Sequence, residues 1–431
     1  MSSVAENASR PSNRVFRGWW IVVVAIIGQS CGIATVLVYT FAVFEKPLAH
    51  EFKSSRASIA LAVSLLDIAV TLSAPLIGRL VDRYGTRRII VASLFALAAC
   101  LVGLSYVQPP LWHLYLLYVL AGSLGVATSP VTYSRVIANW FDRMRGRALG
   151  FSGIGTGLGA FIGPSLAQLF IDQRGWRYAY LGLAGFTLLL AMPVVAIFLR
   201  GSPEEVGLLP DGDSRSDSPK RHKARLPGLT LSEAAQTPTF WLLCGIFFVV
   251  AGCCTGTISH VASLLTDKGV SGRTAAFAVS MFGFASIAGR VGSGYLLDRF
   301  FAPRVAGAVF AAAAVGIAML SYGVTANSAY VAAFLIGLGI GAEADIMPFL
   351  ISRYFGMRSM AELYGCAFGS YTLGNAAGRY LIAAGFDITG SYRTPLAVAL
   401  VMLLLATLAT FALARYRQFQ TSGCEFSSVT L

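Results

Sequence analysis

Charge is scarce in this chain. Asp, Glu, Lys and Arg make up 12% of its 431 residues, and 56% are hydrophobic. An average soluble domain carries about 25% charged residues. A chain so composed cannot cover its apolar surface in water, which excludes an ordinary soluble domain and leaves the bilayer as solvent. There are only four histidines and seven cysteines, and neither type clusters at metal-ligand spacing. All cysteines but Cys424 lie in apolar runs, where thiols act as small hydrophobes. No metal site, disulfide framework or cofactor is expected. The net charge is +13, yet the basic residues sit in short loops with no aromatic-basic platform, so nucleic acid is not an expected partner. The one long polar stretch, residues 200–238, is too short to bury a core, and no ATP-hydrolysing machinery is visible.

What the chain has instead is long apolar runs. A spanning helix needs about 20 mostly apolar residues. Runs of that kind cover 18–44, 57–78, 89–107, 111–140, 148–171 and 178–199, then 239–265, 273–297, 304–324, 329–354, 361–385 and 394–414. Gln108-Pro109-Pro110 separates the third from the fourth, since proline favours a turn. The first run is too long for a signal-peptide core and has no small-residue cleavage site, so it reads as an uncleaved first helix. The expected organisation is an N-tail (1–17), a six-helix bundle (18–199), a solvated linker (200–238), a second six-helix bundle (239–414) and a C-tail (415–431).

The two bundles repeat. Gly78-Arg79-Leu80-Val81-Asp82-Arg83 returns as Gly294-Tyr295-Leu296-Leu297-Asp298-Arg299, an offset of 294 − 78 = 216. Trp140-Phe141 matches Tyr354-Phe355 at 214, and Leu149-Gly150 matches Tyr364-Gly365 at 215. With an even number of crossings per half, the repeats are parallel and related by an axis along the membrane normal. Of the 33 Lys and Arg, 22 fall on the side of the tails and linker and 8 on the other. The positive-inside bias therefore places both tails and the linker in the cytoplasm, and a bacterial inner membrane is the expected location.

Gly78–Arg88 reads Gly-x-Leu-x-Asp-Arg-x-Gly-x-Arg-Arg, with Gly85, Arg87 and Arg88 completing it. It resembles the signature loop of the major facilitator superfamily between helices two and three. The second copy, with Gly294, Asp298 and Arg299, lies between helices eight and nine, where that family repeats it, but lacks the later glycine and paired arginines. The resemblance implies an all-α fold of twelve transmembrane helices in two parallel repeats and an inner gate formed by these loops. Physically, Gly78 permits close backbone approach, and Asp82 is placed to sit at a neighbouring helix N-terminus, where the macrodipole favours a carboxylate. Arg83, Arg87 and Arg88 can reach acidic groups or lipid phosphates. Plain loop charge is the blander reading. The fifth run is rich in glycine, with Gly153, Gly155, Gly157, Gly159 and Gly163 before Pro164, which suits close helix contact in a membrane.

Trp140–Gly150, Arg17-Gly18-Trp19-Trp20 and Arg290, eight residues before Asp298, resemble the monocarboxylate transporter and oxalate/formate antiporter branch. That resemblance implies that Arg290 binds a substrate carboxylate and that Tyr39 lies at the binding site. The lysine used by the oxalate carrier on helix eleven is here Tyr371, so a monocarboxylate or mixed organic acid fits better than a dianion.

Six charges stand inside predicted helices: Asp67, Arg135, Arg290, Glu343, Asp345 and Arg379. Each costs about 2.5–3.5 kcal/mol near a helix centre on insertion scales, so each needs a partner, a wet cavity or a route to the surface. Arg135, near a helix end, can snorkel. Arg290 is either the substrate anchor or half of a structural ion pair. Glu343 and Asp345 are two apart, about 200° around the helix, and cannot share a face; either can pair with Arg290 or carry a proton. Asp67 and Arg379 are expected to form a latch on the outer side. His260 is a packing residue, a proton relay or a substrate contact. Asn375, like Tyr371, is a cavity candidate. Gly28-Gln29-Ser30-Cys31-Gly32 matches a hydrolase elbow by chance, since it lies in an apolar helix without the strand-turn-helix setting.

The expected activity is secondary transport of a small organic anion by alternating access, coupled to a proton or a counter-solute, in a bilayer, with a monomer as the working unit. Efflux of a drug or metabolite is the alternative within the same class. A transporter-like sensor and an intramembrane enzyme are the alternatives outside it; the first lacks an output domain and the second a catalytic pair.

Overall fold

The computed structural model describes residues 16–54, 56–212, 228–269, 272–322, 326–413 and 416. Among these residues there is no β-strand beyond one isolated bridge, Gly228 to Gly356. The first half contains α1 (Gly18–Tyr39), α2 (Arg56–Tyr84), α3 (Thr86–Ser105), α4 (Trp112–Trp140), α5 (Arg145–Arg174) and α6 (Trp176–Phe198). The second contains α7 (Pro238–Asp267), α8 (Gly272–Leu297), α9 (Ala302–Tyr322), α10 (Ala326–Phe355), α11 (Met360–Thr389) and α12 (Arg393–Phe411). Ten of these are long and apolar enough to cross a membrane; α8 and α11, of 26 and 30 residues, equal them in length.

Three helices are less regular than their hydropathy suggests. The expected first helix, 18–44, is α-helical over Gly18–Ser30, winds as a π-helix over Ala34–Tyr39, and gives way to a separate helix at Phe41–Glu51. A 3₁₀ turn at Val126–Thr128 interrupts α4, and a π-turn at Thr187–Ala191 interrupts α6. Backbone irregularity inside a membrane is tolerated where neighbouring helices meet the freed groups: the Thr128 hydroxyl accepts the Ile33 N–H at 2.9 Å, and the Thr187 hydroxyl donates to the Cys31 carbonyl at 3.2 Å. By contrast α5 runs unbroken through Pro164. Gly85 turns the chain from α2 to α3 at φ 89°, a conformation that only glycine adopts at no steric cost.

Packing follows the repeat. In the first half α1 packs on α5, α2 on α4 and α3 on α6; in the second, α7 packs on α11, α8 on α10 and α9 on α12. Between halves, α2 lies along α11 and α5 along α8. The apolar core shows where the halves are joined. One buried cluster runs from the second half into the ends of α1, α3, α4, α5 and α6 nearest the linker, through Ile21, Ile90, Ile137, Trp140, Leu149 and Val195. A second, with Phe44, Leu66, Leu101, Tyr118 and Tyr180, holds the remainder of the first half, with Phe368 of the second half packed against it. The halves thus share a core on the linker face.

Each end of the linker fastens to its own half. The Trp140 indole donates to the Arg200 carbonyl at 2.9 Å, and Asp211 accepts the N–H groups of Asp142, Arg143 and Met144. At the other end the Leu229 N–H donates to the Phe355 carbonyl at 2.8 Å, and Thr230 and Glu233 form a capping box on the short helix Leu231–Ala235.

Candidate functional site

Two layers of polar groups cross the seam between the halves. The first is on the linker face. Asp82, at the end of α2, accepts the N–H groups of Ala361 (3.4 Å) and Glu362 (3.0 Å) at the start of α11. Asp298, just past α8, accepts those of Gly146 (2.6 Å) and Arg147 (3.1 Å) at the start of α5. Each carboxylate so meets the orphan donors and positive dipole end of a helix from the other half. Glycine brings the backbones close enough: a Cβ on Gly78 would strike the backbone of Ala361, and Gly146 and Gly294 abut each other's carbonyls.

Arginines complete this layer. Arg135 does not snorkel: it is nearly buried, bonds Asp82 at 2.6 Å and donates to the Met357 carbonyl at 2.8 Å. Arg147 adds its side chain to Asp298 at 2.9 Å. Arg145 donates to the Ser352 hydroxyl across the seam, and Arg353 returns to Asp142. Of the other motif arginines, Arg83 lies over Tyr84 and Arg299 over Tyr295, while Arg87 donates to the Ala196 carbonyl within its own half. Arg88 is exposed.

The second layer lies deeper. Arg290 (α8) bonds Asp345 (α10) at 3.4 Å. Its guanidinium lies over Gly153 of α5, where any Cβ would collide with it, so one glycine of the rich fifth run makes room for this side chain. Tyr39, Tyr364 and Tyr371 are within electrostatic reach of Arg290. Part of the Tyr39 surface stays exposed. Tyr371 interacts with the Asn375 side chain, whose Oδ1 accepts from the Thr255 hydroxyl at 2.6 Å. Glu343 and Asp345 point apart. Asp345 meets Arg290, while Glu343 faces Cys253 and Cys254 on α7 and Tyr371 on α11.

His260 is set in a different cluster, with its Nε2 3.1 Å from the Arg379 carbonyl. Arg379 in turn bonds Asp67 at 3.4 Å, joining α11 to α2. The substrate-site candidates therefore divide: Arg290, Tyr39, Tyr371 and Asn375 belong together, and His260 sits with the Asp67–Arg379 pair.

Several participants escape sequence reading. Tyr364, whose side chain interacts with Ser134, and Thr255 carry no charge to mark them in an apolar run. Arg147 had a signal: the offset of 215 that aligns Leu149 with Tyr364 also aligns Gly146-Arg147 with Ala361-Glu362, the two places where the repeated aspartates bind. Asp211 had none, being one acid in a polar linker. Among the described residues no group of His, Cys, Asp and Glu is arranged to hold a metal ion.

Two parallel six-helix bundles, latched to each other on one face and enclosing polar groups at their seam, define a multi-pass membrane carrier of the two-repeat type. A profile of the Major Facilitator Superfamily matches residues 19–378, and the chain belongs to that superfamily. It is 24% identical over 375 residues to the uncharacterized MFS-type transporter YhjX of Escherichia coli K12, covering 85% of this chain and 87% of that one. It is 25% identical over 429 residues to monocarboxylate transporter 12-B of Danio rerio, covering 94% and 88%. Among solved structures, a bacterial homologue of the iron transporter ferroportin in its outward-facing state superposes with a TM-score of 0.69 at 13% identity, over 92% of this chain and 99% of that one. The Escherichia coli fucose:proton symporter FucP superposes at 0.66 and 14% identity, over 92% and 98%. These structural likenesses bear on the fold.

Proposed function

We propose that this transporter carries a small organic anion of monocarboxylate type by alternating access, with Arg290 as the anchor. The observation that carries the reading is the Arg290–Asp345 pair, held at the seam against Gly153 of the other half and interacting with Tyr39, Tyr364 and Tyr371. Guanidinium presents a planar fork that matches a carboxylate. An arriving carboxylate can replace Asp345 on that fork, so the cation is not left bare at any stage. The likeness to a protein named as a monocarboxylate transporter supports the same substrate class.

In this reading the Asp82 and Asp298 latches are the inner gate, holding the linker face shut while substrate enters from the other side. Asp67–Arg379, with His260 behind it, is the outer latch. The bias of 22 basic residues to 8 supports a cytoplasmic position for the tails and linker, and that one copy of the chain contains the whole seam supports a monomer as the working unit.

A thermal-shift series on purified protein with pyruvate, L-lactate and oxalate tests the reading. A ligand present at 100 times its Kd stabilises the native state by about 2.7 kcal/mol. A monocarboxylate should raise the unfolding temperature of the wild type and not that of Arg290→Ala. No response to any of the acids, or an equal response in the variant, overturns the assignment.

A further inference from the structure

Glu343 is the least compensated charge-bearing residue described in the molecule. It lies near the middle of α10 with 0% exposure, and neither carboxyl oxygen has a hydrogen-bond partner. Arg290, the cation one might expect beside it, is engaged with Asp345, two residues on and on another face of the helix. The titratable groups that face Glu343 are Cys253 and Cys254 from α7 and Tyr371 from α11. All three are neutral in their ordinary forms, and none supplies positive charge. On the α9 side, the atoms nearest a Cβ built on Gly339, one turn before Glu343, are the Ala313 methyl, the Cys254 sulfur and the Val309 carbonyl. An ionised carboxylate in such a place has neither water nor a counter-ion, which is the costliest condition a side chain can be in. A carboxylic acid there has no charge to compensate.

We propose that Glu343 is the proton-binding site of the transport cycle, protonated in the conformation seen here and ionised only when rocking of the halves admits water to α10. The proposal rests on the substrate reading above for what the proton drives, and on the geometry of Glu343 alone for where the proton sits. The proton arrives from water on the side open to the central space and returns to water on the other side, with no other bond made or broken. The polar groups closest to a relay are on α7 and α11: Tyr371 interacts with both Glu343 and Arg290 and bonds the Asn375 side chain, whose Oδ1 accepts from the Thr255 hydroxyl. The division of labour is then spatial. Asp345 exchanges with the substrate on Arg290, and Glu343 holds the proton on the opposite flank of the same helix. A monoanion and a proton crossing together transfer no net charge, which removes the electrical cost of moving an anion through the bilayer.

Two measurements on the full chain test this, and the first needs no substrate. Infrared difference spectra of the reconstituted wild type and Glu343→Gln should differ by a protonated-carboxyl C=O band near neutral pH; no such band in the wild type, or one that persists in the variant, overturns the proposal. The second uses proteoliposomes and labelled pyruvate. A gradient of one pH unit supports at most about tenfold accumulation of a monoanion moving with one proton. Glu343→Gln should lose that accumulation and keep pyruvate–pyruvate exchange, whereas gradient-driven accumulation equal to wild type overturns the proposal. If the wild type shows the band but moves no pyruvate, the substrate reading falls and the proton site stands.

Discussion

The two latches on the linker face occupy equivalent positions and are built from different chemistry. Asp82 and Asp298 are 216 residues apart, and the N–H groups that they accept, of Ala361-Glu362 and Gly146-Arg147, are 215 apart. At Asp298 the second of those residues is an arginine, which adds its own side chain to the carboxylate. At Asp82 it is a glutamate, a like charge beside the latch. That side recruits Arg135 from α4 instead, at a position whose counterpart by the Trp140–Tyr354 offset of 214 is Phe349. A helix N-terminus capped by a carboxylate from the opposite half is thus the invariant device, and the cation that neutralises it is free to come from elsewhere. What differs is where the cation stands when the carboxylate is gone. The Arg135 side chain is 8% exposed and the Arg147 side chain 37%.

That difference predicts the largest effect. Asp82→Ala strands a buried guanidinium, a change that typically costs about 3–5 kcal/mol, and it should deplete the linker-face-closed form most. Asp298→Ala leaves Arg147 able to turn to water and loses the bonds to two backbone donors, about 1.5–3 kcal/mol for each bond to a charged group before water replaces any of it. Spin-label distances between the linker-face ends of α2 and α11, and of α5 and α8, should report the two openings. Adding Arg135→Met to Asp82→Ala should restore closure, and adding Arg147→Gln to Asp298→Ala should not. Equal behaviour of the two double variants would show that the latches are the same after all.

The same symmetry sharpens the deeper layer. Gly150 meets the carbonyl of Arg290, and Gly365, its counterpart, meets that of Ala74. Arg290 and Ala74 are therefore equivalent, and so by the offset of 215 are Gly153 and Phe368. One seam pairs a large cation with a glycine; the other has an alanine where the arginine stands and a phenylalanine where the glycine stands. The twofold repeat is broken at this level, as the proposed binding of one small solute at Arg290 requires. Gly153→Val should push the guanidinium off α5 and weaken organic-acid binding by about tenfold, a cost of about 1.4 kcal/mol, measured by the thermal shift. Phe368→Gly tests the other seam. It should destabilise the protein without changing which acids bind.

Much of this frame was legible in the residues because it depends on composition and spacing. The twelve helical segments follow from apolar runs longer than the bilayer is thick, and the pairing of Asp82 with a neighbouring helix start follows from a motif whose carboxylate has no other reason to recur. The break in α1 was not legible, because its freed Ile33 N–H and Cys31 carbonyl are met by the side chains of Thr128 and Thr187, from segments remote in sequence. In the sequence Arg135 is indistinguishable from a snorkelling cation, because a cation near a helix end looks the same whether it reaches water or a carboxylate 53 residues earlier (135 − 82). Glu343 and Asp345 looked alike as two acids on one helix; which of them has a partner depends on the helices around α10. Gly153 and Arg290 fit each other across the two halves, and no local pattern carries that.

The like charge at the first latch can be reversed. Glu362 sits beside Asp82, and its own partner, Arg79, is 3.9 Å away and three-quarters exposed, a pair of the kind worth about 0–1 kcal/mol. Glu362→Arg gives the first latch the residue type that the second has naturally, and it should favour the closed linker face. The same spin-label distances should narrow, and transport should slow if opening of this face limits turnover. A widened distribution would mean that Arg135 alone sets the latch and that Glu362 is held there by Arg79.

The smallest effect belongs to the contact between the halves that lies away from the linker face. The Asp67–Arg379 pair is 3.4 Å long, with the arginine 43% exposed, and a pair that water can reach contributes about 0–1 kcal/mol. Asp67→Asn should therefore leave the unfolding temperature nearly unchanged, unlike the Asp82→Ala and Asp298→Ala variants of the linker-face latches. Its consequence should appear in accessibility, because this pair ties α2 to α11 on the side where the second apolar cluster lies. A cysteine placed at Ser259, one residue from His260, should react faster with a water-soluble thiol reagent in Asp67→Asn than in the parent, and Arg379→Gln should match it. A cysteine at Arg83, on the linker face, should react at the same rate in all three backgrounds. If Ser259→Cys is unaffected while Arg83→Cys speeds up, the pair belongs to the inner gate, and the halves are joined at one level only.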